Sequence, residues 1–159
     1  MRYASLAAAV VLGAHGIGHV HFGETKRAAV AGLSALFGAP TARMANAGCS
    51  PRYTEVAWGR LFAEFRDGRF SGFRYQAYSW AVNHAPVALP AIPRLVTADG
   101  VTLGSTLADL RAKDGPLRLV GTDRWESPDG LVFYDNAKHD PVPPSSRIVE
   151  IKVGTCGDF

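Results

Sequence analysis

Two short stretches constrain this chain more than any others. Phe22-Gly23-Glu24-Thr25 and Leu103-Gly104-Ser105-Thr106 share one pattern: a large apolar residue, a glycine, a polar residue and a threonine. Glycine at the second place permits positive φ or a close backbone approach. Threonine at the fourth suits a helix N-cap, its hydroxyl accepting from an orphan amide of the first turn. After Thr25, the spacing of Ala29, Val30, Leu33 and Leu36 or Phe37 predicts an amphipathic helix stopped by Gly38-Ala39-Pro40. After Thr106, Leu107, Leu110 and Ala112 make a shorter stripe that ends near Gly115-Pro116.

Strand-like text follows each corner. Tyr53 to Trp58, Arg60 to Arg66 and Arg69 to Tyr75 are rich in aromatic and apolar residues, as are Leu119 to Glu126, Leu131 to Asp135 and Arg147 to Val153. Period-2 alternation puts Leu61, Ala63 and Phe65 on one face and Phe62 and Glu64 on the other. Asp67-Gly68 and Asp129-Gly130 read as equivalent hairpin turns, with Trp58 and Trp125 packing ahead of them. The fold class expected is therefore α+β, as two tandem lobes, each a helix packed on its own antiparallel sheet. The lobes span residues 15–85 and 99–159. Residues 86–98, which include Pro86, Pro90 and Pro93, read as a stiff linker.

The N-terminus has leader character. Arg2 precedes the small apolar run Ala4 to Leu12, so residues 1–14 are expected to be a signal peptide or a clipped leader. The β-prone Val10-Val11-Leu12 also fits a first strand. The run is too short to span a bilayer as a helix, so no transmembrane segment is expected. Export would allow Cys49 and Cys156 to pair, a bond that contributes about 2–4 kcal/mol in such proteins. The location expected is secreted or cell envelope.

Charge is unevenly spread. Residues 1–80 hold nine Lys/Arg against four Asp/Glu, and residues 81–159 hold eight against ten. A basic first half suits an anionic partner, but the basic residues are dispersed and form no run, which argues against nucleic acid. Arginines interleave with rings after the first hairpin. Arg69, Phe73, Arg74, Tyr75 and Tyr78 are accordingly the expected binding residues, for a protein or an envelope polymer.

Catalytic and metal readings are weaker. The chain has no Gly-x-Ser-x-Gly elbow, no His-Glu-x-x-His, no Walker loop and no dinucleotide fingerprint, so no cofactor is expected. His139 beside Asp135 and Asp140 is the best acid–base candidate, for a small extracytoplasmic hydrolase. Glu55 and Glu64 are the best paired carboxylates. His15, His19 and His21, with His84 or His139 as a distant fourth, form the one metal-like set. Each residue also has an ordinary reading as solvated loop or strand, and the non-enzymatic reading leads.

The paired apolar-Gly-x-Thr words resemble the repeat of the β-lactamase inhibitor protein family and the small envelope lipoprotein domains of the SmpA/OmlA type. The full layout, with Trp58, Trp125, the two Asp-Gly turns and the Thr155-Cys156-Gly157-Asp158-Phe159 end, resembles a group of exported actinobacterial proteins that carry no known activity. The resemblance implies a motif that opens each helix ahead of its sheet, and function through binding rather than catalysis. No contact residue of those families matches a position here, and no lipobox is present.

Overall fold

The computed structural model describes residues 8–45, 52–77, 79–80, 86–87, 95–121, 123–136 and 143–154. Of these, 45% are in strands and 16% in helices. The first half runs β1 (Val10–Gly13), β2 (Gly16–Ile17), β3 (Val20–His21), α1 (Lys26–Phe37), β4 (Ala42–Ala45), β5 (Tyr53–Trp58), β6 (Leu61–Arg66) and β7 (Arg69–Gln76). The short pair β8 (Ser79–Trp80) and β9 (Pro86–Val87) and then β10 (Leu95–Thr97) follow. The second half has α2 (Leu107–Lys113), β11 (Arg118–Leu119), β12 (Arg124–Glu126), β13 (Val132–Asp135) and β14 (Ile148–Val153).

The strands do not divide into two lobes. One eight-stranded sheet has the order β11-β12-β13-β14-β7-β6-β5-β4, so strands from both halves lie in it side by side. A four-stranded sheet, β10-β1-β2-β3, likewise mixes the two ends of the chain: β1 and β10 pair in parallel, Val10 with Leu95 and Leu12 with Thr97. The expected α+β class with two helix-on-sheet lobes is thus overturned. The fold is mostly β, and the two helices lie on one shared core. The physical reason is that a β-edge left bare by one half is satisfied by the other, since each unpaired row of N–H and C=O groups seeks partners.

Two further expectations change. Leu95–Thr97, within the expected linker, is a buried strand of the smaller sheet. Val10–Gly13, within the expected leader, is β1, with Leu12 fully buried, so removal of residues 1–14 would take away a core strand. The hairpin pairing also shifts. Asp67-Gly68 joins β6 to β7, whereas Asp129-Gly130 lies between β12 and β13, whose counterpart by place in the sheet is the β5–β6 turn. Cys49, Cys156, Tyr78, His84, His139 and residues 1–7 lie outside the described residues.

The corners themselves are built alike. Gly23 (φ 89) donates to Phe70 O and Gly104 (φ 84) to Ile148 O, both at 2.8 Å. Phe70 and Ile148 donate back to Glu24 O and Ser105 O, each at 2.9 Å. The Arg69 and Arg147 guanidiniums each donate to the glycine carbonyl of their own corner at 2.8 Å. Each corner therefore ties a helix start to the first residues of a central strand. Thr25 caps α1 through the Ala28 amide, and Thr106 caps α2 through a capping box with Asp109. The Thr106 amide and hydroxyl hold the Asp109 carboxyl below its ordinary range.

Leu12, Ile17, Val20, Ala29 and Leu33 meet Trp58, Phe65, Phe70, Phe73, Leu107, Leu110, Phe133 and Ile151 in one apolar core. Phe22 stacks edge-on against Phe70, ring centres 4.9 Å apart, and so seats the first corner on that core.

At the seam between the halves, a Cβ on Gly72 would stand 2.5 Å from the carbonyl oxygens of Val153 and Gly154. Gly72→Ala is expected to push β7 from β14 and to cost about 1–3 kcal/mol, measured by urea unfolding. A second expectation concerns α2. Burial, and then Asp99 and Asp129 beside it, push the C-cap residue Asp114 up to about 7. The unfolded chain loses that proton near 3.8, so between these values the folded state binds more protons. Stability should fall as pH rises from about 4 to about 7 and then level off. Asp114→Asn should flatten that slope and raise Tm at pH 8, as scanning calorimetry across pH would show.

Candidate functional site

Strand alternation separates the expected binding residues. Phe73 is fully buried and Tyr75 is 8% exposed, both in the apolar core. Burial pushes the Tyr75 phenol above its ordinary value. Arg69 is the corner clamp described above. Arg74 projects from the opposite face of β7, where it stands over the Phe62 ring at 4.6 Å and donates to both Glu55 oxygens at 2.7 and 2.8 Å. The four described members of the expected cluster do not form one recognition surface, because successive residues of a strand point to opposite faces.

What that opposite face does hold is a charge network across the seam. Glu55 and Glu64 face one another across β5 and β6, and both are buried. Arg74 Nε lies 3.9 Å from Glu64, so one guanidinium serves two carboxylates. Arg74 is also directly opposite Lys152 on β14. Lys152 in turn leans over the Tyr134 ring at 4.9 Å and reaches Glu150 at 4.0 Å. The reading of Glu55 and Glu64 as a catalytic pair thus meets a cation already set between them.

The remaining candidates are dispersed. His15, His19 and His21 are exposed, and among the described residues no three His, Cys, Asp or Glu side chains gather closely enough to hold a metal ion. Asp135, the carboxylate that a His139 site would use, is buried and accepts from Trp125 Nε1 at 2.8 Å. Among the described residues no helix is long and apolar enough to cross a membrane.

A groove of about 550 Å³ lies between α1 and the edge strand β4, lined by Lys26, Arg27, Val30, Ala31, Ser34 and Arg43. Three of the six are cations and none is an acid. Val30 and Ala31 give it an apolar floor. Burial first, and then the Arg43 guanidinium, lower the Lys26 ammonium from its ordinary pKa. Its Nζ donates to Thr54 Oγ1 at 2.7 Å and sits 5.4 Å from the Phe65 ring centre.

Helix physics makes the placement of these cations unusual. The N-terminus of a helix carries partial positive charge, so basic residues there are unfavourable. The first turn of α1 nonetheless has Lys26 and Arg27 and no acid, whereas α2 has Asp109 in its first turn and Arg111 and Lys113 in its last. Lys26 and Arg27 oppose the dipole of the helix they stand on, and they share one opening with Arg43 of β4. An anion placed there would be attracted by all three and by the helix end. Sequence reasoning passed over this site. Lys26 and Arg27 are legible as helix residues, but the text around Arg43, between the helix stop and Tyr53, carries no strand pattern.

No protein-family model, no curated protein and no solved structure matches this chain.

The charge network yields its own test. Arg74→Ala would leave Glu55 and Glu64 buried without their shared cation. Breaking a buried pair from one side costs about 3–5 kcal/mol, and partial exposure of Arg74 sets the expectation at the lower end, near 3 kcal/mol by urea unfolding at pH 7. Arg74→Lys, which keeps the charge but not the two-carboxylate reach, should fall between.

Proposed function

We propose that this chain is a non-enzymatic, exported binding module that recognises an anionic protein segment or envelope polymer at the α1–β4 groove. The observation that carries the reading is the groove's composition: Lys26, Arg27 and Arg43 around an apolar floor, with no acid in its lining. The unfavourable charge on the first turn of α1 supports it, because sites that break a local stability rule are commonly functional ones. The resemblance of the corner motifs to exported binding families points the same way. Export rests on that resemblance and on the leader-like text. It requires that any cleavage fall ahead of Val10, since β1 belongs to the core.

This reading predicts a trade between stability and binding at a single residue. Arg27→Glu should stabilise the fold by about 0.3–1 kcal/mol in urea unfolding, because it turns an unfavourable helix-end charge into a favourable one. The same change should weaken binding of poly-L-glutamate and of dextran sulfate by at least about tenfold in fluorescence titrations at low salt. If the wild-type chain binds neither polyanion, the proposal is wrong.

A further inference from the structure

We infer that the occupant of the groove is an extended acidic peptide that joins the eight-stranded sheet as an additional strand along β4. This rests on the binding reading above and specifies its partner.

Three observations converge. First, β4 is the last strand in the sheet order and pairs with β5 alone among the described residues. All four of its residues are exposed. A bare edge of this kind is a template for a further strand. Second, the edge is marked by charge. Arg43 sits in the middle of β4, and a charge on an edge strand opposes pairing with a like strand. A second copy of this chain would bring its own Arg43 to the contact, whereas an acidic strand would bring the complement. Third, the dimensions agree. From Lys26 to Ser34 the groove wall runs along about 12 Å of helix at roughly 1.5 Å per residue. Four residues of an added strand cover about 13 Å at roughly 3.3 Å each, and β4 has four residues.

The geometry also sets the character of the peptide. Alternate side chains of a strand face one way, so every second residue would turn toward α1. Carboxylates there would meet Arg43, Arg27 and Lys26, and a small apolar residue further along would lie against Val30 and Ala31. The backbone supplies hydrogen bonds to β4, and the alternate side chains supply selectivity.

The test uses a fluorescein-labelled decapeptide alternating Glu with Val and its Gln-for-Glu counterpart. Two further versions are N-methylated on either set of alternate amides. One set would face β4 and the other would not. Anisotropy titrations of the full chain should show binding of the acidic peptide, loss of at least about tenfold with Gln, and a similar loss for one N-methylated version only. Hydrogen exchange at the backbone amides of residues 42–45 should slow on binding. If dextran sulfate or poly-L-glutamate binds through Arg27 but both N-methylated peptides bind as the parent does, and the amides of residues 42–45 are unchanged, strand addition is overturned and the anion groove stands. If no anionic probe binds, the underlying reading fails as well. A concentration-dependent dimer in sedimentation that protects the same amides would assign the edge to a second copy and likewise overturn the inference.

Discussion

Antiparallel pairing of β7 with β14 turns two four-stranded arrays into one sheet, and the rest of the molecule is arranged around that contact. Phe73 faces Val153, Tyr75 faces Ile151, and Arg74 faces Lys152. The first two pairs place Phe73, Tyr75 and Ile151 in the core with Val153 packed against it. The third sets two cations opposite each other, an arrangement that is destabilising unless each charge is drawn elsewhere. Here both are. Arg74 is taken by Glu55, with Glu64 close by and the Phe62 ring beneath it. Lys152 is taken by Glu150 and the Tyr134 ring. The seam also needs a residue without a side chain, because Gly72 lies against the backbone of Val153 and Gly154.

The corners transmit this arrangement to the helices. Arg69 is the first residue of β7 and Arg147 immediately precedes β14, and each reaches back to the glycine carbonyl that precedes a helix. Pairing the two central strands therefore also fixes where α1 and α2 start. Both corners stand at the same distance from the centre of the seam: Arg74 and Lys152, the facing pair, each follow their corner arginine by five residues. The halves are thus placed by one set of hydrogen bonds used twice, and a change at the seam should be felt at both helix starts.

Much of the local structure was legible in the residues, and the way the pieces join was not. Gly23-Glu24-Thr25 and Gly104-Ser105-Thr106 announce helix starts because positive φ and a hydroxyl cap are chemical needs that few residues meet. Alternation along Leu61 to Arg66 separates the two faces of β6 correctly, with Ala63 and Phe65 in the apolar core and Phe62 and Glu64, though buried, on the opposite face. Alternation tells which side a residue faces, however, and not which strand lies alongside. Residues 15–85 and 99–159 could not reveal that they share a sheet. Arg69 beside Phe70, Phe73 and Tyr75 reads as a recognition surface in one dimension, while in three it is a clamp beside core rings. Val10-Val11-Leu12 illustrates a different limit, since a small apolar run has the same composition in a leader and in a buried strand such as β1. The groove escaped notice because β4 is short, wholly exposed and lacks an alternating pattern.

The two helices make the strongest physical contrast in the molecule. α2 has a capping box, an acid in the first turn and two bases in the last, all of which favour a helix, with only the C-cap Asp114 set against its dipole. α1 is longer and has a threonine cap, yet it starts with Lys26 and Arg27 and has no basic residue in its last turn. Helix stability alone would favour acids at those first positions, by up to about 1 kcal/mol each. Tertiary packing does not demand the cations either, since Ala29 and Leu33 carry the buried stripe and Arg27 is exposed. Lys26 does gain a bond to Thr54, but burial lowers its pKa and so offsets part of that gain. What the two residues have in common is the opening they share with Arg43. This arrangement costs the helix something and concentrates charge beside β4, which among the described residues is an edge of the sheet, and the binding proposed above accounts for it. The electrostatics of α1 and the side of β4 that has no partner strand among the described residues are the two parts of the site proposed above.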